Sequence, residues 1–379
     1  MNVVDKLYTE WAWRSKTGVP DINNTEDKAI LGKLIIELTE NTSPTKQDII
    51  NYIKNAELDD EQIAKLYKRV SNFGNYRTIK GTISKKGYGN LTKQYTQQIQ
   101  NIIEDLPRED AEKFSQYLSD ESKQANFPTN NHTGNLIGTL IKSTGLSEAT
   151  IRAVFKHTAQ DEKKRGVGMG ELAMTLLYKN VANTVAGKGD LSIDGEEFEI
   201  KGNGAKLGPK GGLSGTAFLN AFTKYGITLE GGKFYYNDKS YNKSGLAFLI
   251  SNLHSKENSS DVENTLKQFL NQSVGLPIES RFGKIKFNDP ASINQNVGLM
   301  HFIDYANAEG FSHFLVHDFG SGKKLTGGNT GKYIYVNGSP DAMAEGLASF
   351  NVTFEKITYV LFRPRIGFAN SYLGEDGEK

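Results

Sequence analysis

The sequence predicts a mixed α/β protein in two parts: a helical, locally basic N-terminal domain over residues 1–130 and an α/β domain over 131–379. Three observations carry this. Up to about Asn126 the apolar side chains recur at helical spacing. A polar stretch, Asn126-Phe-Pro-Thr-Asn-Asn-His-Thr-Gly134, then breaks the periodicity and reads as a linker. Beyond it, short β-branched and aromatic runs mix with helical segments, as expected of a central mixed sheet flanked by helices.

Taken in order, Glu26–Leu38 carries Ile30, Leu31, Leu34, Ile35 and Leu38 on one helical face. Ser43-Pro-Thr-Lys-Gln-Asp48 is a capped start for the helix bearing Ile49, Ile50 and Ile53. Asp59–Val70 and Thr92–Ile103 repeat the pattern, and Ser71–Asn90 between them is a glycine-rich basic loop. After the linker, helices are expected over Asn135–Ser143, Ser147–His157 and Glu171–Asn180, and near Gly298–Ala308. The second, beginning at Gly145-Leu-Ser, has the spacing of a helix-turn-helix, which any helical hairpin shares. Strand character appears at Lys233–Tyr236, Gly245–Ile250, His313–Phe319, Lys332–Val336 and Ile357–Phe362.

Composition sets outer bounds. A length of 379 residues suits two domains. No run approaches the ~18 apolar residues that span a membrane, and the N-terminus lacks the apolar core of a secretory signal. With no cysteine, disulfides, thiolate metal sites and thiol nucleophiles are excluded, and a cytoplasmic setting is expected. The net charge of +1 says nothing about nucleic acid, but its distribution does. From Ile63 to Gln100 there is no acid, against eight bases: Lys65, Lys68, Arg69, Arg77, Lys80, Lys85, Lys86 and Lys93. Tyrosines interleave with them, a pattern suited to tracking a phosphate backbone. The alternative is a solvated surface whose charge is matched by the acidic flanks.

The segment that carries chemistry is Gly189-Asp-Leu-Ser-Ile-Asp-Gly-Glu-Glu-Phe-Glu-Ile-Lys201. Asp194-Gly195 is a preferred pair for a two-residue type I′ hairpin, in which both turn residues need positive φ. That turn pairs Ile193 with Glu196, Leu191 with Phe198 and Asp190 with Glu199. Leu191, Ile193, Phe198 and Ile200 then share an apolar face, leaving Asp190, Ser192, Glu197, Glu199 and Lys201 on the other. Glu196 is the misfit, tolerated beside an exposed turn. Opposed carboxylates about 5 Å apart destabilise a sheet unless a cation lies between them. A hard divalent ion such as Mg²⁺ suits two carboxylates, and an ammonium two residues on can stabilise a phosphate or a hydroxide. The bland alternative is a solvated surface hairpin.

Asp190 followed by Glu199-Ile-Lys201 resembles the PD-(D/E)XK motif of the restriction-endonuclease-like nucleases. The resemblance covers about residues 165–215, and Gly189 stands where the motif has its proline. It implies a restriction-endonuclease-like fold in which the Asp ends one central strand and the (D/E)XK lies on the next. It implies that Asp190 and Glu199 bind Mg²⁺, with Mn²⁺ able to substitute, and that Lys201 assists the attacking water. Glu171, on the preceding helix, is the candidate third carboxylate; its alternative role is an acid favoured by a helix N-terminus. The expected activity is endonucleolytic hydrolysis of duplex DNA, as in a type II restriction enzyme. Cleavage of both strands would suit a homodimer. The following loop, Gly202–Gly215, could bring main-chain amides, Lys206 and Lys210 to phosphates, or be a plain surface loop.

Two other readings stay open: a DNA-binding or viral structural or packaging protein that keeps the fold without turnover, and a sugar- or nucleotide-modifying enzyme. Lookalike motifs argue against the last. Gly202-x-Gly204 lacks its third glycine, Leu207 standing there, and Gly327–Lys332 departs from a Walker A at Thr326 and Tyr333. His313 and His317 sit in a predicted strand as core or surface residues rather than metal ligands, and Trp11 and Trp13 read as packing anchors.

Overall fold

The computed structural model describes residues 92–158, 169–183, 190–205, 207, 215–242, 245–317, 331–355 and 365–368. The chain divides into two compact units, with Lys93–Asp120 in one and Glu121–Lys379 in the other. The described part of the first unit is a helical pair, α1 (Thr92–Asp105) and α2 (Arg108–Ser119). Ile99, Ile102, Phe114 and Leu118 are buried. Pro107 separates the helices, and Glu109 and Asp110 favour the start of α2 through its dipole. The helices expected before Thr92 lie outside the described residues, as does the basic loop with Arg77, Lys80, Lys85 and Lys86.

The second unit is mixed α/β. The expected linker instead belongs to this unit, and its last residues enter the sheet. Phe127 is buried against the rings of Tyr335 and Tyr178, at 4.8 and 5.2 Å between centroids, and His132–Asn135 forms strand β1. Its polar composition misleads because an edge strand can face water along most of its length. Next come α3 (Leu136–Thr144) and α4 (Glu148–Thr158). The Asn135 side chain caps α3 at Gly138 N, and Gly145 ends it in the left-handed region at φ 68°. Ile151, Val154, Phe155, His157 and Thr158 of α4 are buried, while Glu148, Ala149 and Lys156 are exposed and Arg152 is partly exposed along the other face.

Helix α5 (Met169–Leu177) leads into β2 (Val181–Asn183), β3 (Leu191–Ile193) and β4 (Glu196–Gly202). A long insertion follows: α6 (Gly215–Phe222), β5 (Thr228–Glu230), β6 (Lys233–Tyr236), β7 (Lys239–Tyr241), α7 (Leu246–Lys256) and α8 (Ser259–Gln268). It has its own core around Phe218, Phe222, Phe234, Leu249 and Phe269. Gly245–Ile250, expected as a strand, is the start of α7. A short apolar run does not distinguish strand from buried helix, and the 11-residue length with Leu253 buried a turn later decides for helix.

Helix α9 (Pro290–Glu309) starts at an Asp289 cap followed by Pro290 and ends at Gly310, φ 76°. Ile293, Val297 and Met300 join the insertion's core, while Leu299, Phe302 and Ile303 join the core against the main sheet. It is followed by β8 (His313–His317), β9 (Lys332–Asn337), α10 (Pro340–Ser349), β10 (Val352–Glu355) and β11 (Arg365–Phe368). Phe319 and the expected strand Ile357–Phe362 lie outside the described residues.

Among the described residues the main sheet has six strands in the order β1-β9-β8-β4-β3-β2. Only β4 and β8 run parallel; their register sets Glu199 beside Phe314 and Lys201 beside Val316. Every residue of β8 is buried, as expected of a parallel pair covered on both faces. The face of Glu199, Phe314 and Val316 meets α9 and α10. The opposite face, with Ile200 and His317, meets the start of α5: a methyl group on Gly170 would stand 3.1 Å from Ile200 Cγ2 and 3.2 Å from His317 Nε2. Among the described residues no helix is long and apolar enough to cross a membrane.

Candidate active site

The hairpin forms where local chemistry demands it. Asp194 and Gly195 both have positive φ, 52° and 91°, as a type I′ turn requires. Ile193 pairs with Glu196, Ser192 with Glu197 and Leu191 with Phe198. Leu191, Ile193 and Phe198 are fully buried, whereas Glu196 is exposed and accepts hydrogen bonds from Ser312 Oγ and His313 Nε2. The misfit carboxylate is thus held by the start of β8.

The expected Asp190–Glu199 cross-strand pair is not part of the ladder. Pairing ends at Leu191, and Asp190 lies in a bend one residue earlier. Its Oδ2 accepts the Ile200 main-chain N–H at 3.2 Å, so a side chain takes the donor that a continued ladder would satisfy with main chain. The alternative of a hairpin with its charges in water does not hold at Glu199, which is only 2% exposed. The second face of β4 is covered because α9 lies over it, which strand alternation alone does not reveal.

Three charged side chains converge. The Lys201 ammonium bonds to Glu199 Oε1 and stands 3.6 Å from Asp190 Oδ2. Glu199 Oε1 also accepts the hydroxyl of Tyr305, from α9, at 2.6 Å. The Tyr305 ring centroid is 5.8 Å from Lys201 Nζ. Side-chain exposure rises from 3% at Glu199 to 21% at Lys201 and 29% at Asp190, so the cluster opens to solvent on the Asp190 side.

Burial pushes the Glu199 carboxyl up to about 7; Asp190 adds to this, while Lys201 and Tyr305 oppose it. Burial works against the Lys201 charge, yet Glu199, Asp190 and Glu171 together hold its pKa above the ordinary lysine value. Burial and the nearby Glu199 also raise the Tyr305 hydroxyl far above its usual value, so it stays a donor. Glu171 sits in the first turn of α5, is 9% exposed, and acts on Lys201 through its charge.

The donors are of the kind a hard cation takes: two carboxylates meet at one ammonium. Among the described residues no three His, Asp or Glu side chains form a ready-made metal cluster. Lys206 and Lys210 lie outside the described residues, although Gly204 and Ala205 beside them pair with Ile366 of β11. His313 and His317 are buried in β8; His313 Nδ1 meets the Tyr335 hydroxyl at 2.6 Å, a core role as expected. Tyr305 is the site residue that sequence reasoning missed. A single tyrosine in a long apolar helix carries no local sign of a partner 106 residues earlier.

Comparison of the chain with protein-family models, with curated proteins and with solved structures found no match.

Proposed function

We propose that the chain is a Mg²⁺-dependent DNA endonuclease of the PD-(D/E)XK kind, with the finer fold of the restriction-endonuclease-like proteins. One observation carries this reading: Asp190, one residue before β3, and Glu199 and Lys201 on β4 meet at one end of a mixed sheet. The resemblance puts the Asp at the end of one strand and Glu-x-Lys on the next; Asp190 instead stands just before β3, and the hairpin supports only the succession of the two strands. The helix bearing Glu171 precedes it and packs against the same end of the sheet.

Asp190 and Glu199 would hold the ion. When bound, Mg²⁺ or Mn²⁺ supplies charge neutralisation at the phosphate and an acidified water. The rest falls to the chain. Lys201 keeps its proton and is the cation that can leave the carboxylates for a phosphate oxygen as charge develops there. Burial of Glu199 keeps bulk water from its inner oxygen. Glu171 adds negative charge that favours cations at this end of the sheet. Duplex DNA would be held by Arg77, Lys80, Lys85 and Lys86 and by Lys206 and Lys210, and a homodimer would cut both strands.

A second reading, DNA binding without turnover, is favoured by one observation: Lys201 already occupies the position between the two carboxylates, pairing with both. Plasmid incubated with purified protein and Mg²⁺ or Mn²⁺, followed by sequencing of the ends, separates the two. Cleavage by the wild type and its loss in Lys201→Ala, with DNA binding kept within about a few-fold because binding rests on phosphate contacts elsewhere, supports the nuclease. Retarded but uncut DNA under both metals supports binding alone.

A further inference from the structure

Glu199 meets both of its donors with the same oxygen. Oε1 accepts the Tyr305 hydroxyl at 2.6 Å and the Lys201 ammonium, while among the described residues no donor reaches Oε2. The two donors differ in kind. Lys201 is a flexible side chain, 21% exposed and shared with Asp190. Tyr305 is 8% exposed, its ring packs on Phe311 at 5.2 Å, and it stands on a helix buried in two cores. A neutral phenol also adds no charge with which to compete for the carboxylate.

We propose that Tyr305 is a positioning residue: it pins Oε1 of Glu199 and so leaves Oε2 as the oxygen offered to a divalent cation. The inference rests on the metal-dependent reading above. The Tyr305 bond persists when Lys201 turns toward a phosphate, so the carboxylate keeps its orientation through that exchange. Partners of this type, behind a metal ligand, commonly change metal affinity or activity by about 10–100-fold.

The test is Mg²⁺ binding by titration calorimetry, with melting temperature in EDTA alongside, on the wild type and three variants. Tyr305→Phe keeps the ring and removes only the hydroxyl. It should weaken Mg²⁺ binding by roughly 10-fold or more, leave the EDTA melt close to wild type, and recover cleavage as Mg²⁺ is raised. Phe302→Leu, one turn earlier and packed on Phe311 and Phe314, controls for loosening of the helix; it should lower the melt and leave Mg²⁺ affinity unchanged. Glu199→Gln should abolish the binding signal. If Glu199→Gln binds like the wild type, the ion lies elsewhere and the metal reading fails, taking the inference with it. If Glu199→Gln loses binding but Tyr305→Phe does not, the positioning role alone is overturned. Equal weakening by Phe302→Leu and Tyr305→Phe overturns it too, because the effect would then travel through helix packing.

Discussion

The Asp190 carboxylate accepts the main-chain N–H of Ile200 at 3.2 Å, one residue beyond the β3–β4 ladder. The same oxygen stands 3.6 Å from Lys201 Nζ. One side chain therefore ends the strand pairing and brings negative charge to the candidate site, so its structural and chemical roles can be separated by substitution.

Asp190→Asn keeps an oxygen that can accept the Ile200 N–H but loses the charge. Its EDTA stability should lie within about 0.5 kcal/mol of wild type, since the lost attraction to Lys201 and the lost repulsion from Glu199 oppose each other. Asp190→Ala leaves the N–H without its partner and should cost about 1–2 kcal/mol. Both should lose cleavage. Urea unfolding in EDTA distinguishes them, and equal losses of stability would show that the hydrogen bond contributes nothing.

The Glu199 carboxyl is pushed from 4.5 to about 7, chiefly by burial. A raised folded-state pKa means that the protonated carboxyl stabilises the fold below about 4.5 and that this contribution is lost as pH rises through about 7. At about 1.4 kcal/mol per pKa unit, the loss is at most on the order of 3 kcal/mol. Melts in EDTA across this window should therefore decline for the wild type and stay flatter for Glu199→Gln. Mg²⁺ binding needs the ionised carboxylate and releases its proton, so metal-induced stabilisation should grow over the same window. Parallel profiles for the two proteins would remove Glu199 as the titrating group.

Gly298 lies inside α9 against β10, where an added Cβ would fall 2.2 Å from Phe354 Cβ. In an exposed helix interior Gly→Ala gains about 1 kcal/mol. Here Gly298→Ala should instead cost about 1–3 kcal/mol or more, since both neighbours are packed core. The same substitution in a Phe354→Ala background, which removes the ring atoms at 2.2 and 2.7 Å, should cost less if the clash is the cause. Urea midpoints of the four proteins in this cycle give the coupling directly.

Replacing Arg77, Lys80, Lys85 and Lys86 by Gln should reduce the salt dependence of DNA binding. Each phosphate contact contributes about −0.9 to the slope of log K against log salt, so four contacts would flatten it by ~3–4 units. The loss should be alike for unrelated DNA sequences, because phosphate contacts carry no base information. An unchanged slope would place the DNA contacts elsewhere.

Much of the hairpin was legible because its causes are local. Asp194-Gly195 sets a turn that few other dipeptides accept, and two-residue closure then dictates that Leu191 faces Phe198. The helices on either side of Gly145, and the apolar strand beginning at His313, follow from spacing over a few residues in the same way. Where the sequence misled, the deciding partner was remote. The polar segment around His132 becomes an edge strand only because Lys332–Asn337 offers it a ladder, and Leu246–Lys256 is helical within a core assembled from the whole insertion.

The sequence by itself determined which residues share the polar side of β4, because alternation along a strand is a property of the backbone. Whether that side met water or protein was decided by the tertiary structure. The parallel pairing of β4 with β8, across more than a hundred intervening residues, brings α9 over Glu199 and sets the Tyr305 hydroxyl on its Oε1. Burial is what turns an ordinary surface acid into a carboxyl raised to about 7 beside a charged lysine, and burial depends on what packs above a residue rather than on its neighbours in the chain.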